Sequence, residues 1–530
     1  MPRRSLLLVQ PKVIETGRTM GRHEDSRMRI FLVDPPMQSI MLARAEWFPM
    51  GLTYLAGTIV REGHEVLIFN GEHDPSLDYV NNMTLSSNYY RYLDALKDHN
   101  HPAWKKLAAV MAEFKPDVVG ITAYSVKFPS AKRIAAIAKD YNSKIPVVVG
   151  GQHATIMTDE VLSDPNIDFV IKGEGELAFT EFLRQLASFR QWETVESLSF
   201  KKGHRFIHNS LRPLVENIDD LAFPARHCLH DLEHYNSSTM ANLFASRGCP
   251  YQCTYCGTQN IWTRSLRQHS PERVIEEIRS VKDEYGSTFF TFHDDVFGLN
   301  KKRALELTKK MAKAKLGVTW SCLMKTNTVS EELLINMRKA GCTKIDMGVE
   351  SGSDKVLKDV KKGSNSEKIL WGGRMIKKHG FFLYAFLMIG LPTETEEDIK
   401  QTKEFLYKLK PHWAGLSIFT PIPGTAIYKE LQEKNHIPDN PDFERFSYQS
   451  PHSNFAISMK NRQAFPEIAQ EMQTFVQAYN TSFRNLLMRF LSRGYHRNMR
   501  LLFFDLKRFM TWRRVRSAHI EGEAETNISN

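Results

Sequence analysis

Cysteine is scarce in this chain, with six residues in 530. Cys228, Cys322 and Cys342 stand singly, which argues against the disulfide scaffold of small secreted domains. No apolar run approaches the roughly 20 residues that span a bilayer. The apolar stretch of "MPRRSLLLVQPKV" is too short for the core of a signal peptide, so a cytoplasmic protein is predicted. G-x-G-x-x-G and P-loop signatures are also missing, so no motif supports a bound nucleotide. Excess charge is lacking over most of the length. The net charge is +11, but between Arg484 and Arg516 ten Lys/Arg face one acid, Asp505, so nine of the eleven charges sit there. The rest is nearly neutral, and no chain-wide nucleic-acid surface is expected.

What is present is a soluble, globular pattern long enough for two or three domains of about 100–200 residues. Residues 1–27 read as an N-terminal extension, with Met28 as an alternative start. From "MRIFLVDPP" onward, apolar strands alternate with helical stretches: strands at 28–34, 65–69 and 117–123, a helix at 129–140, then "IPVVVGGQHAT" and "DFVIKGEGELAFTEFL". A polar stretch, 74–104, interrupts them. Continuous apolar strands in βα units predict a parallel sheet covered on both faces, so 28–190 forms one doubly wound α/β domain. Small and polar residues sit at its strand ends: Asp34, Tyr124, Ser125, Gly150, Gly151 and Gly173. That is the edge where open α/β sheets bind ligands.

Residues 191–235 read as a linker with one strand pair. A second alternating run spans 236–440, with strands at 243–247, 289–293, 319–325, 345–349, 384–389 and 416–420. Just past them stand Cys249, Asp294, Lys325, Glu350, Gly390 and Pro421, 25 to 45 residues apart. Six βα units at about 30 residues each predict a partial barrel with its chemistry at the carboxyl ends of the strands. Residues 441–530 form a helical, basic C-terminal region. There Met499, Leu502, Phe503, Leu506, Phe509 and Met510 make an apolar stripe flanked by basic residues. Such a helix would either dock on the barrel and close its cavity or lie on an anionic membrane surface at the inner face.

The other three cysteines are concentrated in "SRGCPYQCTYCGTQ": Cys249, Cys253 and Cys256. A zinc site would need a fourth ligand, which His269 or His293 would supply. An inert cluster of buried thiols is a second reading. The third is a cubane iron–sulfur cluster, which usually takes four protein ligands; with three, one iron stays open to bind something.

C-x3-C-x-aromatic-C after a strand resembles the radical S-adenosylmethionine (SAM) superfamily. The likeness extends through "FFTFHDDVFGLN", "MGVESGSDKVL", "FLMIGLPTETEEDI" and "FTPIPGTAIYKEL". "GGQHAT" and "GEGE" resemble the Rossmann-like cobalamin-binding domain fused ahead of that barrel in one subgroup, which includes methylases and the anaerobic magnesium-porphyrin ester cyclase. The resemblance covers roughly residues 28 to 440. It implies that Cys249, Cys253 and Cys256 hold a 4Fe-4S cluster. Tyr255, Asp294, Asp295, Lys325, Glu350, Ser351, Ile389 and Gly390 would then contact SAM. Asp294 and Asp295 stand where the family has Gly-Gly-Glu-Pro. Tyr124, Ser125, Gly150, Gly151, His153, Gly173, Glu174, Gly175 and Glu176 would line cobalamin. The D-x-H-x-x-G spacing of a cobalt-ligating histidine is absent, so His153 is not expected on the metal.

The implied activity is methylation of an unactivated carbon on a small-molecule or lipid-like substrate, through a 5′-deoxyadenosyl radical and methylcobalamin. An electron donor such as flavodoxin or ferredoxin would be its partner. An oxidative cyclase or ring-rearranging enzyme needs the same cofactors, and a non-catalytic cobalamin sensor is a reading of another class.

Overall fold

The computed structural model describes residues 27–45, 48–80, 82–438, 441–445 and 465–493. Strands β1 (Arg29–Asp34), β2 (Glu65–Asn70), β3 (Val118–Thr122), β4 (Val147–Gly150), β5 (Phe169–Ile171), β6 (Leu198–Lys202) and β7 (Arg205–His208) form one sheet in the order β2-β1-β3-β4-β5-β6-β7. The first five are parallel, and β6 and β7 run antiparallel. Between Arg29 and Asp34, β1 is apolar because both its faces are covered. Ile30 and Leu32 share a core with Tyr54 and Ile59 of the helix Met50–Arg61 and Phe182 of the helix Gly175–Ala187. Phe31 and Val33 pack with Leu107 of Pro102–Phe114 and Ile134 of Phe128–Tyr141 on the other side.

Strands β8 (Asn242–Leu243), β9 (Ser246–Arg247), β10 (Arg267–Gln268), β11 (Phe289–Phe292), β12 (Thr319–Met324), β13 (Cys342–Glu350), β14 (Phe382–Ile389) and β15 (Trp413–Ile418) follow. Six of them form a parallel sheet in the order β15-β14-β13-β12-β11-β8, the open barrel expected. Along β13 the two-residue period separates functions. Ile345, Met347 and Val349 are fully buried against the helices, whereas Lys344, Asp346, Gly348 and Glu350, on the other face, are partly exposed.

Three segments differ from the sequence expectation. The strand 243–247 is broken into β8 and β9, and β9 pairs with β10 instead. The break is held by Asp294, whose carboxylate accepts the Ala245 N–H at 2.7 Å and the Ser246 hydroxyl. The polar stretch 74–104 holds helices Asn82–Ser87 and Tyr89–Lys97 and the start of a third, anchored by the buried Tyr92 and Trp104. The linker's strand pair belongs to the first sheet: β6 continues it from β5, with Leu198 and Phe200 in its core.

Of the C-terminal region, helices Phe465–Thr481 and Phe483–Arg493 are described. The first docks on the barrel edge. Asn480 donates to the Ala414 carbonyl at 2.7 Å and accepts its N–H at 2.9 Å, occupying backbone groups of the edge strand β15. The apolar stripe Met499–Met510 lies outside the described residues.

The two sheets are joined by a buried ionic network. Arg247 on β9 reaches Glu174 at 2.9 Å and Glu176 at 2.7 Å, and Arg267 on β10 reaches Glu174 at 2.7 Å. All four side chains are more than nine-tenths buried, with relative exposures of 4–9%. Burial alone would raise the Glu174 pKa, but the hydrogen bond from Arg267 and the charges of both guanidinium groups outweigh it and hold the carboxyl below its usual range.

Removing one partner of such a network strands a buried charge, which costs about 3–5 kcal/mol. Arg247→Met should therefore lose roughly that much stability in urea unfolding. Glu174→Gln should show a pH signature. A carboxyl with a depressed folded pKa stabilises above its unfolded value of about 4.3 and loses that contribution as pH falls through the folded pKa. The stability gap between wild type and Glu174→Gln should be full at neutral pH and close below about pH 4. A gap independent of pH would show that the carboxylate charge is not what joins the sheets.

Candidate functional site

The cysteine loop leaves β9 through Gly248, which has a φ of +90°; a Cβ there would lie 2.0 Å from the Ser265 carbonyl oxygen, so only glycine fits. Cys249, Cys253 and Cys256 follow on irregular backbone, each half-buried. The loop is stitched down at its centre: the Thr254 N–H donates to the Val360 carbonyl at 3.1 Å, and the Thr254 carbonyl accepts from the Ile427 N–H at 3.1 Å. Burial raises the thiol pKa of Cys249 and of Cys256.

The spread of the thiols tests what they hold. Four-coordinate zinc with Zn–S bonds of about 2.3 Å keeps its sulfurs about 3.8 Å apart. Among the described residues, the three Sγ atoms do not all come within 4.8 Å of one another, and no histidine joins them in such a group. His269 is buried with Nδ1 at 2.8 Å from Asp219, and His293 bonds Asn242. The three thiols are therefore not gathered around one point as four-coordinate zinc would hold them.

Around the loop, the barrel strand ends deliver polar side chains. Lys325, after β12, is 4% exposed. Its Nζ lies 3.3 Å from the centre of the Tyr251 ring, with no hydrogen-bond partner among the described residues. Glu350 ends β13 with a φ of +66° and pairs with Lys362 Nζ at 2.6 Å; the same Nζ donates to the Tyr255 hydroxyl at 3.3 Å. Gly348 makes this pair possible, because a Cβ there would sit 2.8 Å from Glu350 Oε1 and 2.9 Å from Lys362 Nζ. Asp295 accepts the Gly248 N–H at 3.2 Å and the Thr258 hydroxyl at 2.8 Å, fixing both ends of the cysteine loop.

Other residues named from the sequence are turned into packing. Asp294 holds the β8–β9 break, and burial pushes its pKa up to about 6. Ser351 is buried, with its Oγ 3.1 Å from Thr402 Oγ1 and accepting the Ser353 N–H. Ile389 lies in the barrel core. Gly390 has a φ of +88°, and a Cβ there would meet the Phe465 ring at 2.7 Å, so the C-terminal helix covers it. Its N–H donates to Glu394, a fully buried carboxyl that burial pushes up to about 8. Glu394 and Lys362 escaped the sequence reading. An acid four residues past a strand-end glycine was a usable signal for Glu394, and nothing in Lys361-Lys362 marked which lysine turns inward.

A cavity of about 460 Å³ lies between the sheets. From the first domain it is lined by Tyr124, Gly150, Gly151 and the turn Gly173 to Glu176; from the barrel, by Asn242, Phe244, Gly257, Thr258, Trp262, His293 and Asp295. A Cβ on Gly173 would meet nothing within 4 Å, and one on Gly175 only Leu55 at 3.9 Å, so both glycines leave an open cradle. Glu174 and Glu176 border the cavity, but their carboxylates are committed to Arg247 and Arg267. Ser125 and His153 are not on its wall. They bond each other at 3.0 Å, and the His153 ring packs between Phe128 and Phe443, with burial pushing its pKa down to about 3.

The comparisons agree with this division. A radical SAM superfamily model matches residues 243–406, and a B12 binding domain model matches residues 41–183. The chain is 32% identical over 407 residues to an uncharacterized methyltransferase of Pyrococcus horikoshii, covering 76% of this chain and 83% of that protein. It is 26% identical over 441 residues to the anaerobic magnesium-protoporphyrin IX monomethyl ester cyclase of Cereibacter sphaeroides, covering 80% and 66%. Among solved structures, the fold matches the radical SAM methyltransferase TsrM of Kitasatospora setae with a TM-score of 0.65 at 16% identity, covering 86% and 90%. The cobalamin-dependent radical SAM enzyme OxsB matches with a TM-score of 0.63 at 14% identity, covering 85% and 67%. With a cobalamin-domain sheet and a three-cysteine barrel facing one cavity, the chain belongs to the cobalamin-dependent radical SAM enzymes, the family of these methyltransferases.

Proposed function

We propose that the protein methylates an unactivated carbon of a small-molecule or lipid-like substrate held between its two domains. The observation that carries this reading is a cavity walled on one side by the strand-end glycines of the first sheet and on the other by residues beside the cysteine loop. When bound, the cluster with SAM supplies a carbon-centred radical, and cobalamin supplies the methyl group.

The chain's own residues bind, orient and seclude. Cys249, Cys253 and Cys256 would hold the cluster. Lys325, a buried ammonium without a hydrogen-bond partner among the described residues, suits the carboxylate of SAM. Lys362 fixes the Glu350 carboxylate, and Tyr255 stands beside them as an aromatic wall. Tyr124, Gly150, Gly151, Gly173 and Gly175 offer surface and space for the corrin or its tail. The apolar rings of Phe48, Phe179, Phe244 and Trp262 exclude water from the cavity. His293 adds a polar contact. The Asn242 amide donates to the Thr239 carbonyl at 2.6 Å, so its oxygen faces His293 and takes the proton on Nε2. That leaves Nδ1 as an acceptor on a ring in the cavity wall, and burial lowers its pKa and favours the neutral form. A substrate hydroxyl or amine would donate there.

The cyclase reading keeps the same cofactors, and the similarity to the Cereibacter sphaeroides cyclase favours testing it. With SAM carrying a trideuterated methyl, a methylase gives product heavier by that methyl, together with 5′-deoxyadenosine and S-adenosylhomocysteine. Deoxyadenosine with an unlabelled product would replace methylation by cyclisation.

Two substitutions test the sites. Lys325→Met should weaken SAM binding by about ten- to a hundredfold, the loss of one charge-assisted contact of 1.5–3 kcal/mol, while iron and sulfide content stay at wild-type level. Gly175→Leu should lower the cobalamin bound per chain by filling the cradle, read from the corrin absorbance. Full loading of that variant would put the corrin elsewhere. Gly151 is a poorer probe, because a Cβ there would crowd Thr122 Oγ1 at 2.9 Å and strain the backbone itself.

A further inference from the structure

The end of the barrel opposite the cysteine loop carries a surface that the proposed reaction does not use. Helix Phe483–Arg493 lies there, against the start of β15. The Arg489 guanidinium sits 4.7 Å from the centre of the Trp413 ring and donates to the Asn480 carbonyl at 2.9 Å. Asn485, one turn earlier, donates to the Tyr479 carbonyl at 2.7 Å. Both side chains are buried and mark the inward face of the helix. Phe483 and Leu487 each stand two residues from Asn485, about 200° around the helix axis, and are 81% and 46% exposed. A surface helix normally buries its apolar face and turns its polar one to water. This one does the reverse.

Cations gather beside these two side chains. Lys377, in helix Ser366–Lys378, donates to the carbonyls of Leu409 at 2.6 Å and Lys410 at 3.1 Å, at the end of helix Glu396–Leu409. Burial lowers its pKa to about 8, the charges of Lys410, Arg374 and Arg484 lower it further, and no acid contributes. Arg374, Lys410 and Arg484 are exposed and form no ion pair among the described residues. Two acids on neighbouring turns are engaged elsewhere, Glu331 with Lys378 at 3.2 Å and Glu471 with Lys403 at 2.5 Å. Glu367 and Glu404 are exposed on the same two helices, but seven residues from Arg374 and six from Lys410, nearly two turns away. Trp371, exposed one turn before Arg374, adds an aromatic ring.

Whatever covers this surface must be anionic and must also take up apolar side chains. A second copy of the chain would set the same cations against each other. The chain's own continuation is poorly matched in charge, with ten Lys/Arg against one acid between Arg484 and Arg516. Single-stranded nucleic acid would answer the charges and leave Leu487 without a partner. We propose that this end of the barrel docks on an anionic lipid bilayer, with Phe483 and Leu487 entering the headgroup boundary and Arg374, Lys410 and Arg484 meeting lipid phosphates. No described helix is long and apolar enough to cross a membrane, so this contact is peripheral. It needs neither the cluster nor cobalamin, and stands apart from the reaction.

The test is co-sedimentation of the full chain with vesicles of two parts phosphatidylcholine to one part phosphatidylglycerol. The wild type should pellet with these and not with phosphatidylcholine alone, and added salt should release it. Arg374→Glu/Arg484→Glu should weaken partitioning roughly tenfold or more. Phe483→Ser/Leu487→Ser should weaken it several-fold and leave urea unfolding nearly unchanged, because both side chains already face water in the free protein. Lys358→Glu, an exposed lysine beside the cysteine loop at the other end of the barrel, should bind as the wild type does. A wild type that stays in solution with the anionic vesicles would overturn the proposal, as would pelleting that both double variants retain in full, which would put the contact in residues 494–530. Capture of a fluorescent single-stranded RNA without vesicle binding, lost in Arg374→Glu/Arg484→Glu, would replace lipid by nucleic acid.

Discussion

The arrangement depends on a few buried charges at the junction of the two sheets. Glu174 and Glu176 belong to a turn at the ligand edge of the first sheet, and Arg247 stands two residues before Cys249. One network thus connects the turn that borders the cavity to the root of the cysteine loop. Isolated, any of these groups would carry a desolvation penalty of several kcal/mol. Paired, with Arg267 completing the set, they fix how the two domains meet more sharply than an apolar contact, because charge-assisted hydrogen bonds tolerate little misalignment. The cavity volume, the separation of its walls and the aim of the cysteine loop all follow from that fixed contact.

Much of this was legible in the sequence wherever a local rule operated. The apolar run 30–33 of β1 announced a strand covered on both faces, and the two-residue alternation along β13 separates lumen from core. The cysteine spacing is short enough to be read as a unit. What stayed hidden depends on partners distant in the chain. The acids of Gly-Glu-Gly-Glu look like ligand contacts until Arg247 and Arg267 arrive, 71 to 93 residues later, to claim them. His153 sits in a glycine-rich turn that suggests a cofactor, yet its ring is enclosed by Phe128 and by Phe443, 290 positions on in the numbering. Asp294 and Asp295 are adjacent and chemically alike, but on the irregular backbone past β11 one turns into the β8–β9 break and the other to the cavity wall.

The cysteine loop presents two different surfaces. One surface faces solvent, and the other faces the cavity between the sheets. Residues 250–252 face outward into a surface groove, while Gly257, Thr258 and Trp262 line the apolar inner cavity. The turn of the loop at Cys253–Cys256, closed by a backbone hydrogen bond of 3.2 Å, lies between them. An inner cavity and an outer groove thus lie on opposite flanks of the same fourteen or so residues.

The clamp of Asn480 on β15 bears on how the barrel is made. An edge strand presents unpaired backbone groups that invite pairing with other chains. Here the groups at Ala414 are satisfied by a helix that leaves the ribosome after all six strands. During synthesis the sheet can be assembled in order from β8 to β15, yet its last edge stays open until Phe465–Thr481 has emerged and docked. The nascent barrel is thus most exposed to misassociation between those two events, and a chaperone that shields this one strand would cover the whole vulnerable interval.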